Sequence, residues 1–169
     1  MTRPLAYSLH DSPVGRLLLA GDGATLHFLS FPGGHKAFGP DPEWTRDDGA
    51  FDAVRTQLDA YFGGDLTTFD LPLSPSGTAF QLQVWNILAT IPFGRTRSYG
   101  NLAKALGRPG ASRAVGAANG ANPLPIILPC HRVVGASGKL TGFGGGLPTK
   151  EFLLRHEGAL PGDDQPRLL

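Results

Sequence analysis

Cysteine is almost missing: the 169 residues hold one, Cys130. A single thiol excludes an internal disulfide and any zinc site built from several cysteines. Long apolar runs are missing too. No stretch approaches a membrane span, and the N-terminus carries no long apolar signal region. The expectation is a soluble, cytoplasmic protein with no membrane partner. Acidic residues are scarce in one half only. Residues 77–155 carry nine Lys/Arg against a single acid, Glu151, a balance of +8, whereas residues 1–76 carry five against ten, a balance of −5. A basic half suggests a polyanionic partner, with a solvated basic surface as the alternative. Glycine (24) and proline (15) are abundant, which implies many turns.

The lone cysteine sits in Pro129-Cys130-His131-Arg132-Val133-Val134, after the proline-spaced run Asn122-Pro123-Leu124-Pro125-Ile126-Ile127-Leu128. Proline fixes φ and disfavours helix in the residue before it, so Cys130 is expected on stiff, extended backbone. Two β-branched residues suited to a strand follow. Neighbours on a strand point to opposite faces, so Cys130 and His131 can cooperate only through a turn or a bridging water. An inert, buried cysteine is the plainer reading, but it leaves His131 and Arg132 unexplained.

Taken in order, residues 5–10, 15–20 and 25–31 read as short strands separated by turn signals, an antiparallel meander. Residues 32–42 read as a loop. Phe51, Val54, Leu58, Tyr61 and Phe62 recur at helical spacing, with Gly63-Gly64 as a stop. His27 and His35 read as structural or exposed, and residues 65–77 as a linker. The second half opens with a helix capped by Thr78, with Phe80, Val84, Ile87 and Leu88 on one face. Ser98 caps a short helix through Leu106, Gly107 ends it, and a second helix spans roughly 111–119. Two short helices on a Gly/Pro turn are a helix-turn-helix signal. Apart from Arg113 and Asn119, the second helix has tiny side chains. That suits close approach to a DNA groove, or to a neighbouring helix, and argues against sequence-specific regulation by long polar side chains. Glu157 closes a helix that begins near Pro148. A carboxylate there opposes the helix dipole; a donor such as His131, with His156 as the rival imidazole, would explain it, and a frayed, solvated Glu157 is the alternative.

Pro-Cys-His-Arg-Val-Val resembles the active-site signature of the O6-alkylguanine-DNA alkyltransferases. The resemblance runs in order through Ser98-Tyr99, Arg113-Ala114-Val115-Gly116, Asn119-Gly120, Asn122-Pro123, Gly142-Phe143-Gly144-Gly145 and Glu157-Gly158. It implies an α/β fold: a small N-terminal RNase H-like domain with its linker (1–76), then a mostly helical winged helix-turn-helix domain carrying the cysteine (77–169). It also implies suicide transfer of the alkyl group from O6-alkylguanine in duplex DNA to Cys130, with O4-alkylthymine as an open second substrate. His131 would act as base through a water, Glu157 would orient it, and Asn122 would brace the cysteine loop. Tyr99 would rotate the nucleotide out and Arg113 would fill the gap. Ser98, Ala114, Gly116 and Asn119 would meet the minor groove. Val133, Phe143, Gly144 and Gly145 would line the base pocket. Phe143 stands where the best-known members have a tyrosine, keeping the stacking face without the hydroxyl donor. No cofactor or metal is implied, and the protein is expected to be a monomer. The rival readings are a lesion-recognition module of the alkyltransferase-like type, which Cys130 argues against, and a cysteine hydrolase, which would not need the basic half.

Overall fold

A computed structural model describes residues 5–32, 40–141, 143 and 145–160. The N-terminal runs fold as expected into a meander. Strands β1 (Ala6–Ser12) and β2 (Gly15–Gly21) form a hairpin, and β3 (Leu26–Ser30) pairs antiparallel with β2. A two-residue strand β4 (Thr45–Arg46) adds parallel to β1, giving the order β3-β2-β1-β4. Helix α1 (Asp52–Phe62) follows a 3-10 turn whose cap, Asp47, accepts from the Ala50 amide. It buries Val54, Leu58 and Tyr61, the i, i+4, i+7 stripe that its spacing implies.

The segment read as a linker is not a free tether. The Leu26 amide donates to the Pro72 carbonyl and the Ser74 amide to the Leu26 carbonyl, each at 2.9 Å. Gln57 exchanges two hydrogen bonds of 2.8 Å with the backbone of Asp70. The segment therefore covers the open edge of β3, which would otherwise expose unpaired amides and carbonyls.

The second half is mostly helical. Helix α2 (Ala79–Leu88) starts on a capping box between Thr78 and Gln81. Just before it, a Cβ on Gly77 would lie 2.5 Å from the Trp85 ring, so only glycine fits. Strand β5 (Arg97–Ser98) leads into α3 (Tyr99–Ala105), again through a capping box, from Ser98 to Asn101. Gly107, at φ 73, ends that helix, and α4 (Ser112–Gly120) follows. Trp85 ties α2 to α4 by donating to the Ala118 carbonyl at 2.8 Å. Strand β6 (Val133–Val134) pairs parallel with β5, joining the cysteine segment to the entry of the helix pair. Helix α5 (Leu147–His156) closes the described chain.

One apolar cluster runs through both halves, from Leu17 and Leu58 to Val84, Val115 and Leu153. The Leu29 amide donates to the Pro123 carbonyl at 2.9 Å, and Phe31 packs on Phe143 with ring centroids 5.6 Å apart. The meander and α1 thus brace the back of the cysteine segment. Among the described residues no helix is long and apolar enough to cross a membrane.

Candidate active site

The proline-spaced run is a compact turn and not the extended segment that its prolines suggest. The Leu128 amide donates to the Leu124 carbonyl at 2.8 Å, and Ile126 sits at φ 73, a left-handed conformation unfavourable for a β-branched residue. Asn122 ties the turn at both ends. Its Oδ1 accepts from the Leu124 amide at 2.9 Å, and its Nδ2 donates to the Leu128 carbonyl at 2.7 Å. Pro129, at φ −78 and ψ 69, is the centre of an inverse γ-turn in which the Cys130 amide donates to the Leu128 carbonyl at 2.7 Å.

Cys130, His131 and Arg132 then occupy one 3-10 turn, not a strand. At about three residues per turn their side chains diverge by roughly 120°. Cys130 is 4% exposed and His131 fully buried. The Nε2 of His131 lies 2.7 Å from Oε2 of Glu157, the residue that ends α5. Beside a carboxylate Nε2 carries the proton, which leaves Nδ1 with a free lone pair. That Nδ1 is buried and has no hydrogen-bond partner among the described residues.

The same carboxylate holds Arg132. Its Nε donates to Oε1 at 2.7 Å and its Nη2 to Oε2 at 3.0 Å, while Nη1 donates to the Ile91 carbonyl at 2.6 Å. Arg132 therefore belongs to the interior and not to a DNA-facing basic surface. A further donor comes from the other half of the molecule: the Tyr61 hydroxyl reaches Oε2 at 2.5 Å. Burial pushes the Glu157 carboxyl up, but the hydrogen bonds from His131, Arg132 and Tyr61 outweigh it and bring it down to about 2. Burial dominates at His131 and lowers its pKa against the pull of Glu157, so the ring is neutral at pH 7. Burial also pushes the Cys130 thiol up to about 11, although Asn122, Lys150 and two backbone amides pull the other way.

Lys150 is fully buried and donates to the Val133 carbonyl at 2.7 Å and the Thr141 carbonyl at 3.3 Å. Burial lowers it to about 8, with the charge of Cys130 opposing. Sequence reasoning missed Lys150, Tyr61 and the inward role of Arg132. A signal existed for Lys150: it shares a helix face with Leu153, Leu154 and Glu157, an apolar stripe that a solvated lysine would avoid. Nothing in the apolar stripe of α1 distinguishes Tyr61 from a core residue.

The remaining site residues divide. Arg113 and Ala114 are exposed in the first turn of α4. Gly116 faces the Tyr99 ring, and the Tyr99 hydroxyl is hydrogen bonded to that of Thr141 at 2.8 Å. Ser98 accepts from the Asn101 amide as the cap of α3. Asn119, expected to meet DNA, is instead buried, and its Nδ2 donates to the Cys130 carbonyl at 3.3 Å. Val133 is fully buried and Phe143 nearly so. The close neighbour that makes Gly145 a glycine is Phe31, whose ring a Cβ would approach to 2.5 Å. Gly144 and Gly142 lie outside the described residues, as does His35.

Two family models divide the chain between them. Residues 5–75 match the ribonuclease-like domain of 6-O-methylguanine DNA methyltransferase, and residues 79–159 match its DNA binding domain. The chain belongs to this methyltransferase family. A methylated-DNA--protein-cysteine methyltransferase of Methanosarcina acetivorans is 51% identical over 153 residues, 90% of this chain and 98% of the relative. One of Mycobacterium bovis is 54% identical over 152 residues, covering 89% and 91%. The crystal structure of Mycobacterium tuberculosis OGT in complex with DNA superposes with a TM-score of 0.85 at 52% identity, covering 91% of this chain and 93% of that one. The methyltransferase fold thus holds a neutral imidazole on an ionised carboxylate, with a buried thiol on the preceding residue of the same turn.

Proposed function

We propose that this methyltransferase repairs duplex DNA by moving the alkyl group of O6-alkylguanine to Sγ of Cys130, once per molecule. The observation that carries the reading is the unpartnered, buried Nδ1 of His131, one residue from the lone thiol, with Nε2–H held on Glu157. A thiol near pKa 11 is unreactive at rest, because the thiolate is the nucleophile. His131 takes the proton through a bridging water. The thiolate attacks the alkyl carbon, the S–C bond forms, the C–O bond breaks, and its electron pair passes to guanine, which regains a proton as normal guanine. The chain holds no second thiol to reverse the transfer.

The domain carrying α3 and α4 (77–169) meets the minor groove, and the meander domain (1–76) braces it; the protein acts as a monomer. A carbon inside a stacked duplex is out of reach, so the base must leave the helix. Arg113, exposed on the small-residue helix, fills the vacated stack, and Tyr99 pushes the phosphate. Asn122 and Asn119 brace the cysteine loop through its carbonyls. After incubation with methylated duplex, intact-mass spectrometry should find one added CH2 per protein, on Cys130. Repeated turnover, or a methyl on another residue, would overturn the reading.

Arg113→Ala should slow transfer on duplex DNA about tenfold while changing single-stranded substrate less than about twofold, since only the duplex has a stack to fill. Single-turnover rates on the two substrates check this. An equal loss on both would place Arg113 among the phosphate contacts.

A further inference from the structure

Glu157 is gripped from three directions, and one grip belongs to the other domain. Arg132 takes both carboxylate oxygens from the cysteine turn. His131 takes Oε2 from the same turn. The third donor, Tyr61, is 96 positions away in α1. The placement of Tyr61 is over-determined. It is fully buried, its ring packs on Phe62, Phe69 and Phe93, and its own carbonyl accepts from His156 Nε2 at 2.7 Å. A phenol locked this way cannot turn elsewhere, and its hydroxyl lies on the oxygen that holds the histidine.

We infer that Tyr61 is a positioning residue for alkyl transfer, through which the meander domain sets the orientation and basicity of His131. The inference rests on the alkyl-transfer reading above. It has two physical parts. The hydroxyl pins Oε2 in place, so Nε2 keeps its proton and Nδ1 stays the acceptor. It also takes a share of the charge of Oε2, so less of that charge falls on the imidazole and the ring is less basic. His131 then stays neutral, and able to accept a proton, to lower pH. The other charged or titratable groups around it are Cys130 and Arg132 on its own turn and Lys150 and Glu157 on α5. Of these, only Glu157 is hydrogen bonded to Tyr61, so a change there reaches His131 through the carboxylate.

Tyr61→Phe removes only the hydroxyl. Glu157 stays ionised on Arg132, its charge concentrates on His131, and the ring gains basicity. The acidic limb of the pH–rate profile for single-turnover transfer should therefore move to higher pH, by about half a unit to one unit. Phe69→Leu is the control. It loosens the packing on the Tyr61 ring without touching Glu157, and should lower thermal stability while leaving the limb in place. Site-specific replacement of Tyr61 by 3-fluorotyrosine, a stronger donor, should move the limb the opposite way. Opposite shifts for the two tyrosine variants, with none in the control, support the inference. An unmoved limb in Tyr61→Phe, or equal shifts in Tyr61→Phe and Phe69→Leu, overturns it. If the unaltered protein transfers no alkyl group at all, the underlying reading fails instead.

Discussion

Glu157→Gln should cost the protein most of its transfer activity, about a thousandfold or more in the single-turnover rate. A glutamine can turn its amide N–H toward Nε2 of His131. The imidazole proton then moves to Nδ1, and the lone pair that must receive the thiol proton is gone. A comparable change of carboxylate to amide behind a catalytic histidine costs about 10⁴ in a serine protease through the wrong tautomer. The same substitution strands Arg132, whose Nε and Nη2 both rest on the carboxylate. Removing one partner of a buried ion pair costs roughly 3–5 kcal/mol. Stability and activity can be separated with Arg132→Met in the Glu157→Gln background, which removes the stranded charge. The double variant should recover much of the thermal stability and none of the rate. Recovery of the rate would show that Glu157 serves only the fold.

The carboxylate also leaves a mark on acid stability. Its folded value, about 2, lies below its ordinary 4.5, so it stabilises the fold above pH 4.5 and that contribution drains away as pH falls toward 2. His131, also depressed, adds a loss that begins below its ordinary 6.5. Asp22, held low by the Thr25 and Ala24 amides and by His27, adds to the acid slope independently. The comparison that isolates Glu157 is therefore between variant and parent: below pH 4.5 the stability of Glu157→Gln should fall less steeply.

The secondary structure was readable from local chemistry. Thr78 and Ser98 cap their helices because the acceptor–donor pair three residues apart closes a box in each case. Gly107 stops α3 because it alone takes the left-handed φ cheaply. The cysteine segment was not readable in the same way. Its prolines imply extended backbone, and nothing in local propensity puts Ile126 at φ 73. The side chain of Asn122 and the buried neighbours of the turn decide that shape, and both are tertiary facts. Charge composition misled in a related way. Arg132 and Lys150 count toward the basic half, yet both are buried. A sum of charges does not say which of them reach water. Tyr61 lay furthest from view, since its partner is on another domain and its spacing is that of an ordinary core residue.

Lys150→Met should slow transfer about tenfold or more with little change in lesion binding. Lys150 is an ammonium with two carbonyl acceptors and no carboxylate partner among the described residues. In the resting protein Cys130 is a neutral thiol, so the buried charge is uncompensated and its pKa falls to about 8. When the thiol loses its proton, Lys150 gains a counter-charge. An attraction that exists only once the thiolate forms lowers the barrier without tightening the ground state. Methionine fills a similar volume and removes it, so the thiolate becomes costlier by roughly 1.4 kcal/mol for each tenfold in rate. Stability supplies a second readout. Between pH 8 and its ordinary 10.5 the unfolded chain holds the Lys150 proton more often than the folded one, so stability rises with pH from about 8. Cys130, raised from 9 to about 11, opposes this above pH 9, which leaves pH 8 to 9 as the window. In Lys150→Met the rise in that window should vanish. If it vanishes while the transfer rate is unchanged, Lys150 supports the Val133 and Thr141 carbonyls and takes no part in forming the thiolate.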